Sequence, residues 1–202
     1  MSSSPAPSPL PTGRIPMLER DQVPPEVQAI YDAVERDRGV VPYMHRTIAN
    51  VPPVLIGLVG FLKPLLADGA LPSWYKELIA TRVAVLRGCD YCTSSHTAMA
   101  KLRGATQEQV DGVWDPEQGP YSEAERLGFR LADRVHELEH GLPDDFYAEL
   151  KREYNDQQII ELVLTASAFE FTTRMVEALN IPVTPQAGAQ LQPSSSPLRT
   201  GA

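Results

Sequence analysis

The strongest constraint on the fold is punctuation. Apolar residues recur at helical spacing in segment after segment, and prolines and glycines stand mostly where such segments begin and end. Pro24-Pro25 opens a stripe of Val27, Ile30, Tyr31 and Val34 that Gly39 closes. A short helical piece over 43–49 follows. Pro52-Pro53 opens a more uniformly apolar helix, which Pro64 should kink or end. The next spans 73–87 and stops at Gly88; another runs from about Asp90 to Arg103, with Gly104 just beyond. Thr106 with Gln109, Ser122 with Glu125 and Asn155 with Gln158 have capping-box spacing. They predict helices near 107–114, 123–140 and 156–179, with a shorter one at 143–153. Strand-type alternation nowhere exceeds four residues. The expected fold is all-α, about eight helices in one domain over 14–182.

Residues 1–13 hold four Ser and four Pro, and 183–202 hold three Pro and three consecutive Ser. Both read as disordered tails. They contain seven of the 19 prolines, so the proline count does not argue against helix. The 202 residues carry a formal net charge of −8. Such a surface repels phosphate backbones, which argues against a nucleic-acid partner. The longest apolar run, Val54 to Leu62, is nine residues with two glycines, whereas a membrane span needs about 20. The first residues lack the basic-then-apolar pattern of a secretory signal, so a cytoplasmic location is expected.

The two cysteines, Cys89 and Cys92, are three apart. A disulfide between them would close a four-residue loop, worth only about 2 kcal/mol. Chemistry is the better reason for the pair. At a helix start their sulfurs can share one face, where free N–H groups favour thiolate. His96 follows Cys92 by four residues, so its imidazole can reach that sulfur. On the preceding helix, Glu77, Thr81, Ala84 and Gly88 form a stripe that is small after Glu77. Folding back at Gly88 could bring Glu77 over the same face, to orient His96 or relay its protons.

Glu77, eleven residues, Cys89-x-x-Cys92, three residues, His96: this pattern resembles the core motif of AhpD-like alkylhydroperoxidases, in the carboxymuconolactone decarboxylase-like superfamily. The stretch RIPMLERDQVPPEVQAIYDAVERDRGVVPYMHRTIANVPPVL resembles the lead-in of the longer, peroxidase-related members, and FEFTTRMVEALNI their closing helix. The resemblance implies an all-α homo-oligomer that reduces a hydroperoxide without a cofactor and is reset by an external dithiol. It implies that Cys92 attacks, Cys89 resolves, His96 moves the proton and Glu77 orients His96. Tyr91 stands where AhpD has a relay histidine, and a phenol with pKa near 10 relays protons poorly at neutral pH. It reads as a wall of the site. The superfamily's decarboxylases lack this cysteine pair, which disfavours lactone decarboxylation.

Other readings compete. Cys89, Cys92, His96 and Glu77 could bind zinc, or the cysteines could be plain core residues. A passive redox sensor or a structural oligomer would need no turnover. His136-Glu137-Leu138-Glu139-His140 matches H-E-x-x-H, but Gly141-Leu142-Pro143 follows at once and no later histidine supplies a third ligand. That histidine pair reads as a solvated helix end. His45 reads as a packing or surface residue. Arg174 could pair with an acid at an oligomer contact, Trp74 and Trp114 read as core or interface aromatics, and 54–62 as core or subunit interface.

Overall fold

The computed structural model describes residues 13–138 and 140–185, and among these it is helical, with no strand. A single 3-10 turn at Arg20–Gln22 precedes α1 (Pro25–Arg38), α2 (Tyr43–Ile48), α3 (Pro52–Leu66), α4 (Ser73–Arg87) and α5 (Asp90–Leu102). Then come α6 (Gln107–Gly112), α7 (Glu123–Glu137), α8 (Asp144–Glu153) and α9 (Asp156–Ala178). The three capping boxes form at Thr106, Ser122 and Asn155. Gly39 and Gly88 end α1 and α4 in the left-handed conformation, at φ 73° and 67°, which a side chain would strain.

Two boundaries differ from expectation. Helix α3 runs through Pro64 to Leu66. Gly60, whose carbonyl Pro64 leaves without a helical donor, is exposed, so water can satisfy it. Helix α7 stops at Glu137, with Leu138 already extended at φ −68°, ψ 113°.

Helix α4 is the centre of the molecule. It packs against α5, α7 and α9, so its apolar residues are buried on more than one side. Leu78, Ile79 and Val83 meet Leu127, Phe129, Leu131, Leu162 and Phe169 in the main core. Each fully buried Leu or Ile there contributes about 1.5–3 kcal/mol. Burial of α4 includes Lys76, whose ammonium lies 3.0 Å from Glu161, and Glu161 also accepts the backbone N–H groups of Ala70 and Leu71. Arg82 holds Asp133 through two bonds of 2.6 and 3.0 Å and so ties α4 to α7. The contact between those helices is close at Gly128, where a Cβ would stand 2.0 Å from the Tyr75 hydroxyl.

A second apolar cluster surrounds the cysteines with Tyr43, Tyr91, Val176 and Ile181, and a third joins Val27, Tyr31, Ile48 and Leu55 under α1 and α3. Thr184, two residues past 182, is buried and accepts the Tyr43 N–H at 2.9 Å. Most of the predicted tails, 1–12 and 186–202, falls outside the described residues. Trp74 and Trp114 are half-buried against the main core. No helix among the described residues is long and apolar enough to cross a membrane.

Candidate active site

The α4–α5 hairpin assembles the sulfur pair. Gly88 turns the chain, the Cys89 N–H bonds back to the Ala84 carbonyl at 2.9 Å, and Cys89 becomes the N-cap of α5. Its Sγ accepts the Cys92 backbone N–H at 3.4 Å, and the two sulfurs are hydrogen-bonded at 2.9 Å as free thiols. Both residues are 3% exposed. The environment treats them oppositely. Cys89 is held below the ordinary thiol pKa, chiefly by its bond with the Cys92 thiol and further by the Cys92 N–H, against burial. Cys92 is pushed up by that same bond, then by burial and by the charge Cys89 takes on when it ionises. Glu177 of α9 raises both.

Glu77 and His96 meet in the interior. Glu77 Oε2 lies 2.7 Å from His96 Nδ1, and the carboxyl is 1% exposed. Thr81 steadies that stretch of α4 by donating to the Glu77 carbonyl at 2.8 Å. Phe169 of α9 packs against the imidazole at right angles or nearly so, 71° with centroids 4.3 Å apart. A carboxylate on Nδ1 keeps the proton of a neutral ring there and leaves Nε2 as acceptor. Among the described residues no hydrogen bond joins His96 to either sulfur. The sulfurs are instead hydrogen-bonded to each other. His96 and Cys92 share a cavity.

That cavity has a volume of ≈ 630 Å³ and lies between α1, α2, α3, α4, α5 and α9. Cys92, His96 and Glu77 line one end, and Ile30, Val34, Leu58 and Leu62 give it an apolar wall; Cys89 is not part of the lining. Tyr91 is part of it, and its hydroxyl oxygen accepts the Met44 N–H at 3.1 Å and the Thr184 Oγ1–H at 3.4 Å. Burial raises the phenol to about 12. His45 of α2 also lines the cavity. Sequence reasoning placed it as a bystander, since it has no spacing relation to the cysteines. The only signal was its position in the short helix opened by Pro42.

The H-E-x-x-H match does not lie on one helix, because α7 ends at Glu137 and His140 follows beyond it. Glu139 lies outside the described residues. His136 is not merely solvated: its Nδ1 lies 2.6 Å from Glu170 Oε1 on α9. Arg174 pairs with the same Glu170 at 2.5 Å, one turn away within α9, and so finds its acid in its own helix. Among the described residues no group of three or more His, Cys, Asp or Glu side chains could hold a metal ion.

Residues 52–132 match the Carboxymuconolactone decarboxylase family. An uncharacterized protein of Cupriavidus necator is 42% identical over 62 residues, 31% of this chain and 55% of that protein, so the chain matches about half of that relative's length. YdfG of Bacillus subtilis is 27% identical over 107 residues, 52% of this chain and 72% of YdfG. In three dimensions the chain is similar to the alkylhydroperoxidase AhpD core of a peroxidase-related protein from Ralstonia eutropha JMP134, with a TM-score of 0.80 at 20% identity. That likeness covers 86% of this chain and 93% of the other. The debrominase Bmp8, in complex with 2,3,4-tribromopyrrole, is similar with a TM-score of 0.74 at 21% identity, over 87% of this chain and 93% of Bmp8. The segment that matches the Carboxymuconolactone decarboxylase family holds Glu77, Cys89, Cys92 and His96, and the fold around it is similar to that of the AhpD core.

Proposed function

We propose that this protein is a thiol-dependent peroxidase that reduces organic hydroperoxides. One observation carries the reading: a hydrogen-bonded dithiol opens, through Cys92, on an apolar cavity that it shares with a buried carboxylate–imidazole pair. The two criteria for an attacking thiol divide here. Acidity marks Cys89, and access marks Cys92. Access decides, because a proton can cross the 2.9 Å between the sulfurs, whereas a peroxide must be met where the cavity is.

In this mechanism the Cys92 proton passes to His96 Nε2, through a bound hydroxyl or water, while Glu77 holds the resulting imidazolium. Cys92 Sγ bonds to the terminal peroxide oxygen and the O–O bond breaks. The sulfur is oxidised to sulfenic acid, and the departing alkoxide takes the proton from His96 to become the alcohol. Cys89 then attacks the sulfenic sulfur, releases water and closes the Cys89–Cys92 disulfide. An external dithiol reduces it by exchange, which requires a reducing compartment such as the cytoplasm. No cofactor enters these steps.

The Cys variants test it. In Cys89→Ser, one equivalent of cumene hydroperoxide should leave a sulfenic acid on Cys92 that a dimedone-type reagent traps. In Cys92→Ser, Cys89 should react far more slowly. Faster reaction at Cys89 reverses the roles, and reaction at neither removes the peroxidase reading. The apolar wall also favours a second reading, reductive dehalogenation of a small aromatic such as the bromopyrrole bound by Bmp8. Bromide release from 2,3,4-tribromopyrrole in the presence of a dithiol would support it. A redox sensor would form the disulfide but show no steady turnover with either substrate.

A homo-oligomer belongs to the same proposal. Helix α3 packs Leu55, Leu58, Val59 and Leu62 inward and leaves Val54, Ile56 and Phe61 exposed at 56%, 41% and 44%, so the stretch expected as core or interface serves as core on one face only. Gly57 and Gly60 beside them face open space. Small residues flanked by exposed apolar ones suit close approach of a second copy.

A further inference from the structure

The cavity holds polar equipment that the dithiol and the Glu77–His96 pair do not use. His45 is 8% exposed and lines the cavity together with Cys92, His96 and Tyr91. Its Nδ1 is sealed from solvent and meets no partner. Among the described residues its Nε2 makes no hydrogen bond either. A buried Nδ1 without a partner is costly, whereas Nε2, which no protein group bonds, is open to whatever occupies the cavity.

The ring is aimed by its helix and not by bonds of its own. Pro42 opens α2, the Met44 N–H is fixed on the Tyr91 hydroxyl, Thr47 bonds the Tyr43 carbonyl, and the Tyr43 N–H is held by Thr184. These three hydrogen bonds fix Tyr43, Met44 and Thr47 around His45, and Tyr91 directly precedes Cys92 in the chain. The imidazole is therefore held at a set position relative to the sulfur. Burial, with a lesser contribution from Arg38, holds its pKa down at about 3. At neutral pH the ring is uncharged and carries one proton. With Nδ1 sealed, that proton is best placed on Nε2, the nitrogen a molecule in the cavity can reach.

We propose that His45 is the cavity's substrate-facing hydrogen-bond donor, its Nε2–H holding the oxygen that leaves when an organic hydroperoxide is cut by Cys92. The proposal rests on the peroxidase reading and adds the group that stabilises the departing alkoxide. His45 keeps its proton throughout; the proton that completes the alcohol is the one His96 took from Cys92. Tyr91 is pinned by the bonds its oxygen accepts from Met44 and Thr184, and its O–H is a second donor that a His45 variant leaves in place. His96 is engaged through Nδ1 and is used as a base. A donor already fixed at the place where charge develops costs no reorganisation at the moment of reaction, which is where such groups have their largest effect.

The test compares wild type, His45→Gln and His45→Phe in two oxidations of the same dithiol. One uses cumene hydroperoxide in single turnover. The other uses diamide, which oxidises the thiols with no alkoxide leaving group. Loss of one such donor costs about 10²–10³-fold. The Phe variant should lose that much with the peroxide, Gln should recover at least about tenfold of it, and diamide rates should agree within about twofold. A Phe variant that cuts peroxide at the wild-type rate overturns the proposal. So does a Phe variant slowed equally with diamide, because the residue would then be structural. If the wild type itself reduces no peroxide, the peroxidase reading falls separately. His45 is then tested as a donor to a bound hydroxyl. Cumyl alcohol should shift the His45 Nε2 resonance in nitrogen NMR and bind about tenfold more weakly to the Phe variant. An unmoved resonance in the presence of saturating alcohol overturns the donor role.

Discussion

Acid should unfold this protein partly through His45. The unfolded residue takes up a proton near pH 6.5, whereas in the fold burial holds the pKa at about 3. Between these values the unfolded chain binds more protons, so stability rises with pH across the window and is lost as pH falls through it. At about 1.36 kcal/mol per unit, acidification from pH 7 to 5 costs about 2 kcal/mol at this one residue, and to pH 4 about 3 kcal/mol. The loss levels off below about pH 3, where the folded residue also protonates. Against a typical total of about 5–15 kcal/mol, that is a large share. Urea unfolding of wild type and His45→Gln at pH 7, 5 and 4 checks it. Gln is a neutral side chain without a titration, so its pH dependence should be shallower than wild type by those amounts. Carboxylates and the other histidines titrate in both proteins and cancel in the comparison. Equal slopes would show that His45 is solvated or paired in the fold, and the inference of an idle, uncharged donor would fall with it.

Gly128→Ala places a Cβ 2.0 Å from the Tyr75 hydroxyl and displaces the bond that hydroxyl donates to the Glu125 carbonyl; thermal or urea unfolding should show a loss of at least about 1–3 kcal/mol, and a neutral result would mean that α4 and α7 are farther apart. His96→Gln and Glu77→Gln should each slow peroxide consumption at pH 7, by about 10²–10⁴-fold for His96, and the double variant should be little worse than the worse single; losses that multiply would show that Glu77 acts elsewhere. Phe61→Asp on the exposed face of α3 should lower the sedimentation coefficient at micromolar concentration, and an unchanged value would move the contact between copies to another face.

The helices were legible because their boundaries rest on local chemistry. Capping pairs such as Asn155 with Gln158, and glycines such as Gly88, act within a few residues of the chain. The Cys89, Cys92, His96 and Glu77 cluster was legible for a related reason: three of its members lie within one helix and its cap, and the fourth lies on the helix joined by one tight turn. What could not be read was long-range. His45 reaches the cavity only because α2 is fixed on Tyr91 and Thr184, contacts separated by 47 and 141 residues. Glu170 reaches His136 across two helices, so a histidine that looked solvated has a buried partner. The bonding of the sulfurs was also hidden, because spacing shows which face a residue occupies but not that the two cysteines bond to each other and not to His96. The apolar face of α3 shows the same limit: hydropathy marks it for burial without saying in which molecule.

The most direct measurement of the central claim is the mass of the protein, and its free-thiol count, after one equivalent of cumene hydroperoxide, with and without an added dithiol. Without dithiol the account predicts a monomeric chain two hydrogens lighter, with thiols falling from two to none and one equivalent of cumyl alcohol formed. With dithiol it predicts return to the starting mass and continued alcohol production over many equivalents. A chain whose mass and thiols are unchanged while peroxide persists, or whose main product is a covalent dimer, would contradict it.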